Sequence, residues 1–145
     1  MTAIIKYKRR FKQYSRKVKQ STKNAMQDVL DDLVRTSSQS APHDEGILEK
    51  SWSKEVKMSG DTTKGFVSYT VNAVGGDGGK FNYALKMHEE EYNLGKKSEE
   101  KTGGVGMSGK SYSVGTGYLG DVLKGETDTY SKYIEKVIRD ASNNF

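Results

Sequence analysis

The chain has 145 residues, the size of one domain, and a formal net charge of +5. Only 27 residues are Leu, Ile, Val or Phe, which excludes a large private core, whereas an aromatic share of 10% and regular apolar spacing exclude wholesale disorder. The lack of cysteine excludes disulfides and cysteine-based metal or thiol chemistry, and without a long apolar run we expect neither a signal peptide nor a membrane span.

Positive charge is concentrated at the N-terminus. Residues 1–24 contain nine Lys or Arg and no acidic residue, so the rest of the chain carries a net charge of −4. We predict a basic arm over residues 1–19 on a mildly acidic domain over residues 20–145. The arm is either a solvated helix face or a contact for nucleic acid, a membrane surface or an acidic protein, and no base-reading module is recognisable. The candidate contact residues are Lys6, Lys8, Arg9, Arg10, Lys12, Arg16 and Lys17.

A long helix is predicted next, because apolar residues recur at spacings of three and four from Phe11 to Val34. Pro42 biases the residue before it away from helix, so this helix should end near residues 35–37. Asp44 can then cap a short turn that begins at Glu45 and Gly46, since its carboxylate can accept the free amide protons there.

A β-hairpin is predicted after this turn. Apolar residues alternate with polar ones on both sides of Ser59-Gly60-Asp61-Thr62. The alternating apolar residues are Trp52, Val56 and Met58 before the turn and Val67, Tyr69 and Val71 after it. Glycines at 75–79 break the pattern, and Phe81–Met87 is a short apolar piece that periodicity does not assign to strand or helix.

Residues 93–116 are rich in glycine and lysine, with few large aliphatic residues, and we predict a mobile loop there. Helical spacing resumes from Tyr118 to Ala141, which predicts a second long helix despite Gly125, at a cost of about 1 kcal/mol relative to Ala. The fold class is therefore α+β: a small antiparallel sheet flanked by a long N-terminal helix and a long C-terminal helix, with long Gly-rich loops.

Gly104-Val105-Gly106-Met107-Ser108-Gly109-Lys110-Ser111 spells the phosphate-binding loop of nucleotide-binding proteins. That chemistry needs a buried strand before the loop and a helix that begins at the Lys-Ser pair, so that backbone amides converge on the phosphates. The polar residues 96–101 and the small residues 112–117 do not provide them. We therefore interpret the segment as a flexible loop that matches by composition, and we expect no nucleotide or other cofactor.

Catalytic and metal-binding patterns are absent from the sequence. His43 and His88 are the only histidines, and neither has a second histidine at helical spacing. His88-Glu89-Glu90-Glu91 could offer oxygen ligands to a divalent cation, but a solvated acidic turn is the commoner meaning of such a run. No Gly-x-Ser-x-Gly turn exposes a nucleophile, so we expect no enzyme.

Three short motifs, in this order, give the chain a resemblance to the small neck and tail-completion proteins of long-tailed bacteriophages. Residues 41–51 resemble that family's Ala-Pro-x-Asp-Thr-Gly-x-Leu-x-x-Ser signature, residues 83–89 resemble its Tyr-Ala-x-x-x-His-Glu piece, and residues 117–123 resemble its aromatic-Leu opening of the last helix. The resemblance covers about residues 20–143. The motif residues are Asp44, Gly46, Leu48, Ser51, Tyr83, Ala84, His88, Glu89, Tyr118 and Leu119.

The chain departs from the family pattern at Glu45, where Thr is usual, and at Gly120-Asp121, where bulkier or acidic-then-alkyl residues are usual. From their chemistry, we expect all the motif residues to support the fold rather than to take part in a reaction. Ser51 lies where a hydroxyl can satisfy a backbone group between helix and strand, and Leu48 should point at the sheet. We expect Tyr83, Leu85, Tyr118 and Leu119 to close the sheet against the C-terminal helix.

The resemblance implies a non-enzymatic virion protein that forms a ring, commonly a hexamer, at the head-tail junction. Its partners would be copies of itself, an adjacent head-closure or connector protein, and a tail terminator or tube protein. No membrane partner is implied, and the protein would be assembled in the host cytoplasm. The alternatives are a tail terminator or minor capsid protein of the same virion and, from another class, a nucleic-acid-binding protein without sequence specificity.

The basic arm would then line a lumen filled with genomic DNA or clasp an acidic face of an adjacent ring. We favour the protein partner, because a lumen densely coated with lysine would retard exiting DNA.

Overall fold

The computed structural model describes residues 1–8, 16–43 and 46–143. Two long helices and a small antiparallel sheet carry the fold, which confirms the predicted α+β class. The strands are β1 (Thr2–Lys8), β2 (Trp52–Ser59), β3 (Thr62–Tyr69), β4 (Asn72–Val74) and β5 (Lys80–Asn82). The helices are α1 (Arg16–Ser40), α2 (Tyr83–Glu89), α3 (Lys96–Glu99) and α4 (Gly120–Asn143), with a 3-10 helix at Leu48–Lys50.

The main sheet has the strand order β1-β3-β2, and both neighbours of β3 run antiparallel to it. The predicted hairpin is confirmed: Ser59 lies opposite Thr62, so Gly60 and Asp61 form a two-residue turn. Gly60 has a φ of 58°, a left-handed conformation that glycine adopts without steric cost. β4 and β5 form a separate two-stranded sheet.

Residues 2–8, which the sequence analysis assigns to a basic arm, form a strand of the main sheet. Thr2–Lys8 pairs with β3 over its whole length, and Ala3 is buried opposite Val67. The charge count concealed an alternation in which Ala3, Ile5 and Tyr7 face one side of the sheet. Arg16 and Lys17 are exposed in the first turn of α1, and Arg9, Arg10 and Lys12 lie outside the described residues.

Helix α1 packs against one face of the main sheet and against α4. Gly65 makes the first contact close, because a Cβ there would lie 2.7 Å from the Met26 sulfur. The two helices are antiparallel: Tyr130 donates to Asp32 (2.8 Å), and Tyr133 donates to Asp28 (2.6 Å). The core therefore sits between the inner face of the sheet and this helix pair.

Helix α1 continues to Ser40, beyond the predicted end at residues 35–37. Its last turns are held by burial of small polar residues: the Ser37 hydroxyl bonds with the Leu33 carbonyl (2.6 Å) and with Tyr69 Oη (2.7 Å). The unassigned piece at 81–87 divides at Asn82, whose side chain accepts the Ala84 amide proton (3.1 Å) and so starts α2 directly after β5. Among the described helices, none is long and apolar enough to cross a membrane.

Candidate functional site

The second and third motifs of the phage resemblance dock on each other. Tyr118 is buried, its hydroxyl donates to the Ala84 carbonyl (2.8 Å), and its ring lies edge-on to those of Tyr69 (centroids 5.3 Å apart) and His88 (5.2 Å). The Gly117 amide donates to the His88 carbonyl (2.9 Å). Residues separated by about thirty positions thus join α2 to the start of α4.

Both ring nitrogens of His88 are engaged. Nε2 accepts the Gly120 amide proton at 2.9 Å, so Nδ1 carries the ring proton and donates it to Glu89 Oε1 at 2.8 Å. The imidazole therefore positions the first residue of α4 rather than facing a substrate. Across the described parts of the chain, no group of three or more His, Cys, Asp or Glu side chains could hold a metal ion.

The remaining residues of these two motifs differ in how deeply they are buried. Ala84 and Leu119 are buried, Tyr83 is half-buried with its amide bonded to the Val71 carbonyl (2.7 Å), and Glu89 is exposed. Leu85 does not help to close the sheet as expected, because it is 43% exposed.

The first motif forms the passage from α1 to the sheet. Leu48 is buried in the core, and the Ser51 hydroxyl donates to the Leu48 carbonyl (2.8 Å) as the 3-10 helix gives way to β2, which confirms the role expected of Ser51. Gly46 is buried with a φ of 78°, a conformation that favours glycine. Asp44, the predicted cap, lies outside the described residues.

A cation that the motifs do not include closes the end of α1. Lys101 Nζ donates to the carbonyls of Ser38 (3.2 Å) and Ala41 (2.5 Å) and lies 3.3 Å from Glu49 Oε1. A positive charge stabilises the carbonyl end of a helix. Burial lowers the pKa of Lys101, and the nearby Glu49 carboxylate opposes that shift. Sequence spacing gave no signal for this contact.

The segment that spells a phosphate-binding loop binds carboxylates of its own chain. The Met107 amide donates to Asp32 Oδ2 (3.0 Å), and the Ser108 amide donates to Glu126 Oε1 (2.8 Å). No helix begins at Lys110, since the next one is α4. These amides, which would cradle a phosphate, are thus already hydrogen-bonded to carboxylates of the chain.

Glu126 is the centre of this contact. It is fully buried, and its Oε2 atom accepts hydrogen bonds from the hydroxyl groups of Tyr112 (2.7 Å) and Ser108. Burial raises the pKa of Tyr112, and the hydrogen bond to the Glu126 carboxylate raises it further. Burial and the hydrogen bond to Asp32 likewise raise the pKa of Tyr130. The segment from 103 to 112, which we call the latch loop, is therefore tied to both long helices rather than detached from them.

The sheet has two edges, and neither is paired with another strand among the described residues. β1 borders one side of β3 and β2 borders the other. On β2, Trp52 is 40% exposed and Met58 is 37% exposed, although both lie on the side of the sheet that α1 covers. Ile47, which precedes the 3-10 helix that leads into β2, is 56% exposed. This edge thus carries apolar surface that the chain itself does not cover.

The structure brings some of the predicted basic residues to one face. Lys6 and Lys8 point to the side of the sheet opposite α1, and Lys6 lies directly opposite Lys64, which in turn lies opposite Lys57. Lys57 and Lys64 were missed by sequence reasoning, because their alignment with Lys6 depends on the pairing of β1 with β3. Arg16 and Lys17 belong to α1, which packs on the other side.

Comparison with protein-family models, curated proteins and solved structures finds no match for this chain.

Proposed function

We propose that the protein is a structural subunit of a tailed-bacteriophage virion that assembles as a ring, commonly a hexamer, at the head-tail junction. The observation that carries the proposal is the pair of open edges, β1 and β2, on opposite sides of one small sheet. A subunit that presents two different open edges can associate head to tail, and such interfaces generate rings when the rotation closes. An isolated three-stranded sheet with two open edges is otherwise prone to uncontrolled association.

The apolar surface at the β2 edge supports the same proposal. Covering Trp52 and Met58 with a neighbouring subunit would remove apolar area from water, which stabilises the assembly by roughly 25 cal/mol per Å². A chain with few large aliphatic residues gains stability from apolar surface buried between subunits, as subunits of obligate oligomers do.

The motif residues support a structural rather than a catalytic role. Those that the structure describes are in the core, in backbone contacts or, like Glu89, on the surface beside His88, and none faces a cavity as an unpartnered reactive group. The adjacent rings of head-closure or connector proteins and of tail terminator or tube proteins would be its partners. A tail terminator or minor capsid protein would use the same ring and differ in its position in the particle.

Inactivation of the gene in the phage that encodes this chain tests the proposal. We expect DNA-filled heads and separate tails under the electron microscope, and a ring of this chain at the head-tail junction of wild-type particles. A ring at the tail end or among capsid subunits would favour the terminator or minor capsid alternative. Complete, infectious particles that lack the chain would refute a virion role.

A matched pair of variants tests the edge. Met58 on β2 and Leu85 on α2 are similarly exposed, at 37% and 43%. Supplied from a plasmid to the inactivated phage, Met58→Glu should fail to restore plaques because a charge would be buried between subunits, whereas Leu85→Glu should restore them. Circular dichroism of both purified variants establishes that they fold. Full activity of a folded Met58→Glu protein would rule out assembly through the β2 edge.

A further inference from the structure

One face of the main sheet carries no helix in the described part of the chain. Because α1 packs on the side of Gly65 and Val67, the alternate residues of all three strands face away from it. We call this side the open face. Its residues are Thr2, Ile4, Lys6 and Lys8 on β1, Thr62, Lys64, Phe66 and Ser68 on β3, and Ser53, Glu55, Lys57 and Ser59 on β2.

Three lysines form a row across the open face. Lys6, Lys64 and Lys57 are directly opposite one another on adjacent strands, which lie about 4.8 Å apart in a sheet. Like charges in directly opposite positions destabilise a sheet. All three side chains are exposed, and only Lys57 approaches a carboxylate within the described chain, Glu55 at 3.9 Å. An anion that spans the row would relieve this repulsion.

An aromatic ring lies in the adjacent row. Phe66 is two residues from Lys64 on β3, or about 7 Å along the strand, and is only half-buried. It borders a cavity of about 260 Å³ that is lined by Ser53, Lys54, Glu55, Phe66 and Ser68. Lys57 Nζ lies over the Phe66 ring, 5.5 Å from its centre, so a base that stacks on the ring would displace this ammonium group toward a phosphate. A flat ring, hydroxyl groups and ammonium groups are thus collected within the span of a nucleotide.

We propose that the open face binds single-stranded nucleic acid, with phosphates on the row of Lys6, Lys64 and Lys57 and a base stacked on Phe66. Cationic grooves with stacking aromatics bind single strands with little sequence preference, because every base has a π-face. The carboxylates of an acidic peptide would pair with the lysines, but they would not stack on the Phe66 ring as a base does. This site does not depend on ring assembly, since all of its residues belong to one chain.

The site should be weak and salt-sensitive. Glu55 lies on the same face opposite Phe66, and Lys8 lies 4.0 Å from Asp61, so two carboxylates reduce the positive charge. Non-specific binding to nucleic acid has dissociation constants of about 10⁻⁴–10⁻⁶ M at physiological salt. Glu55→Gln removes one of these carboxylates and should strengthen binding several-fold. Binding at a site away from the open face would not show this effect.

Fluorescence anisotropy with labelled oligo-dT and oligo-U of about 20 nucleotides tests the proposal on the full chain over a series of salt concentrations. Neutralising the row in Lys6→Gln/Lys57→Gln/Lys64→Gln should reduce the slope of log affinity against log salt by about 2, since each phosphate contact on a single strand contributes about 0.7. The matched control neutralises three exposed lysines of α4, in Lys124→Gln/Lys132→Gln/Lys136→Gln. Equal losses in both triple variants would overturn the assignment of the site.

A Phe66→Leu variant separates nucleic acid from acidic protein as the ligand. We expect it to weaken both oligonucleotides by about tenfold, the effect of losing one stacked base, while heparin binding stays unchanged. If poly-glutamate binds as well as oligo-dT, and Phe66→Leu weakens neither, the face binds acidic protein and the proposal fails. Circular dichroism of each variant establishes folding.

Discussion

At the scale of single residues, glycine has two unrelated roles in this chain. A Cβ at Gly106 would lie 2.3 Å from the Glu126 carboxyl group, and one at Gly104 would lie 2.3 Å from the Thr36 carbonyl oxygen. A Cβ at Gly76 would meet no atom within 4 Å. The glycines of the latch loop are thus required by the close approach of its backbone to the helices, whereas Gly76 lies in open space.

We expect Gly106→Ala to lower the free energy of unfolding by about 1–3 kcal/mol, because the added methyl group would displace Glu126 or the loop. Gly76→Ala is the control and should be neutral or slightly stabilising, since it only restricts the unfolded chain. Urea unfolding followed by circular dichroism measures both. Equal effects of the two substitutions would mean that the latch loop does not pack against Glu126.

At the scale of elements, the latch loop ties the two long helices together. Asp32 on α1 accepts hydrogen bonds from the Met107 amide of the loop and from the Tyr130 hydroxyl of α4. Glu126 on α4 accepts hydrogen bonds from the Ser108 amide and the Tyr112 hydroxyl. These carboxylates take the place that a bound anion would have in a phosphate-binding loop. A segment with this many specific partners is expected to be ordered.

Hydrogen exchange tests the order of the latch loop. We expect slow exchange of the Met107, Ser108 and Tyr112 amides, whose protons are all donated within the structure. Glu126→Gln should accelerate exchange at Ser108 and cost about 1–3 kcal/mol, because a hydrogen-bonded buried charge is lost. Asp128→Asn, on the exposed side of the same helix, is the control.

Rapid exchange throughout residues 103–112 of the wild-type chain would instead support the mobile loop that the composition predicts.

At the scale of the whole molecule, the core depends on tyrosine as well as on aliphatic residues. Tyr69, Tyr118 and Tyr130 are among the largest buried side chains, and each hydroxyl has a hydrogen-bond partner. Burial raises the pKa of Tyr69 to about 12 and raises those of Tyr118 and Tyr130 as well. Because these phenols stay protonated in the folded chain, the free energy of unfolding depends on pH in the alkaline range.

We expect the free energy of unfolding to fall as pH rises above 10, the ordinary pKa of tyrosine. The unfolded chain then loses phenolic protons that the folded chain keeps, at about 1.4 kcal/mol per pH unit for each such tyrosine. The stabilisation from Tyr69 is complete below pH 10 and is lost by pH 12. Urea unfolding at a series of pH values measures the decline, which Tyr69→Phe should make shallower. A constant free energy across this range would contradict the burial of these hydroxyls.

The two proposals are compatible within one assembly. A ring closed through the β1 and β2 edges would leave the open face free, and the lysine rows of successive subunits would follow one another around the ring. The nucleic-acid site would then be repeated as often as the subunit, and its affinity would rise through multivalency.

The sequence by itself determined the two long helices, the β2–β3 hairpin with its Gly60-Asp61 turn, and the contact of Ser51, because these depend on residues a few positions apart. Only the tertiary structure decided that residues 2–8 are a strand, that Lys6, Lys64 and Lys57 are aligned, and that the glycine-rich segment is tied to Asp32 and Glu126. The pairing of β1 with β3, the alignment of Lys6 with Lys64, and the amide hydrogen bonds to Glu126 and Asp32 join residues separated by 18 to 75 positions, and no local periodicity records such pairings. Composition reports how many charges and glycines a chain has, but their partners are set by the packing of distant elements.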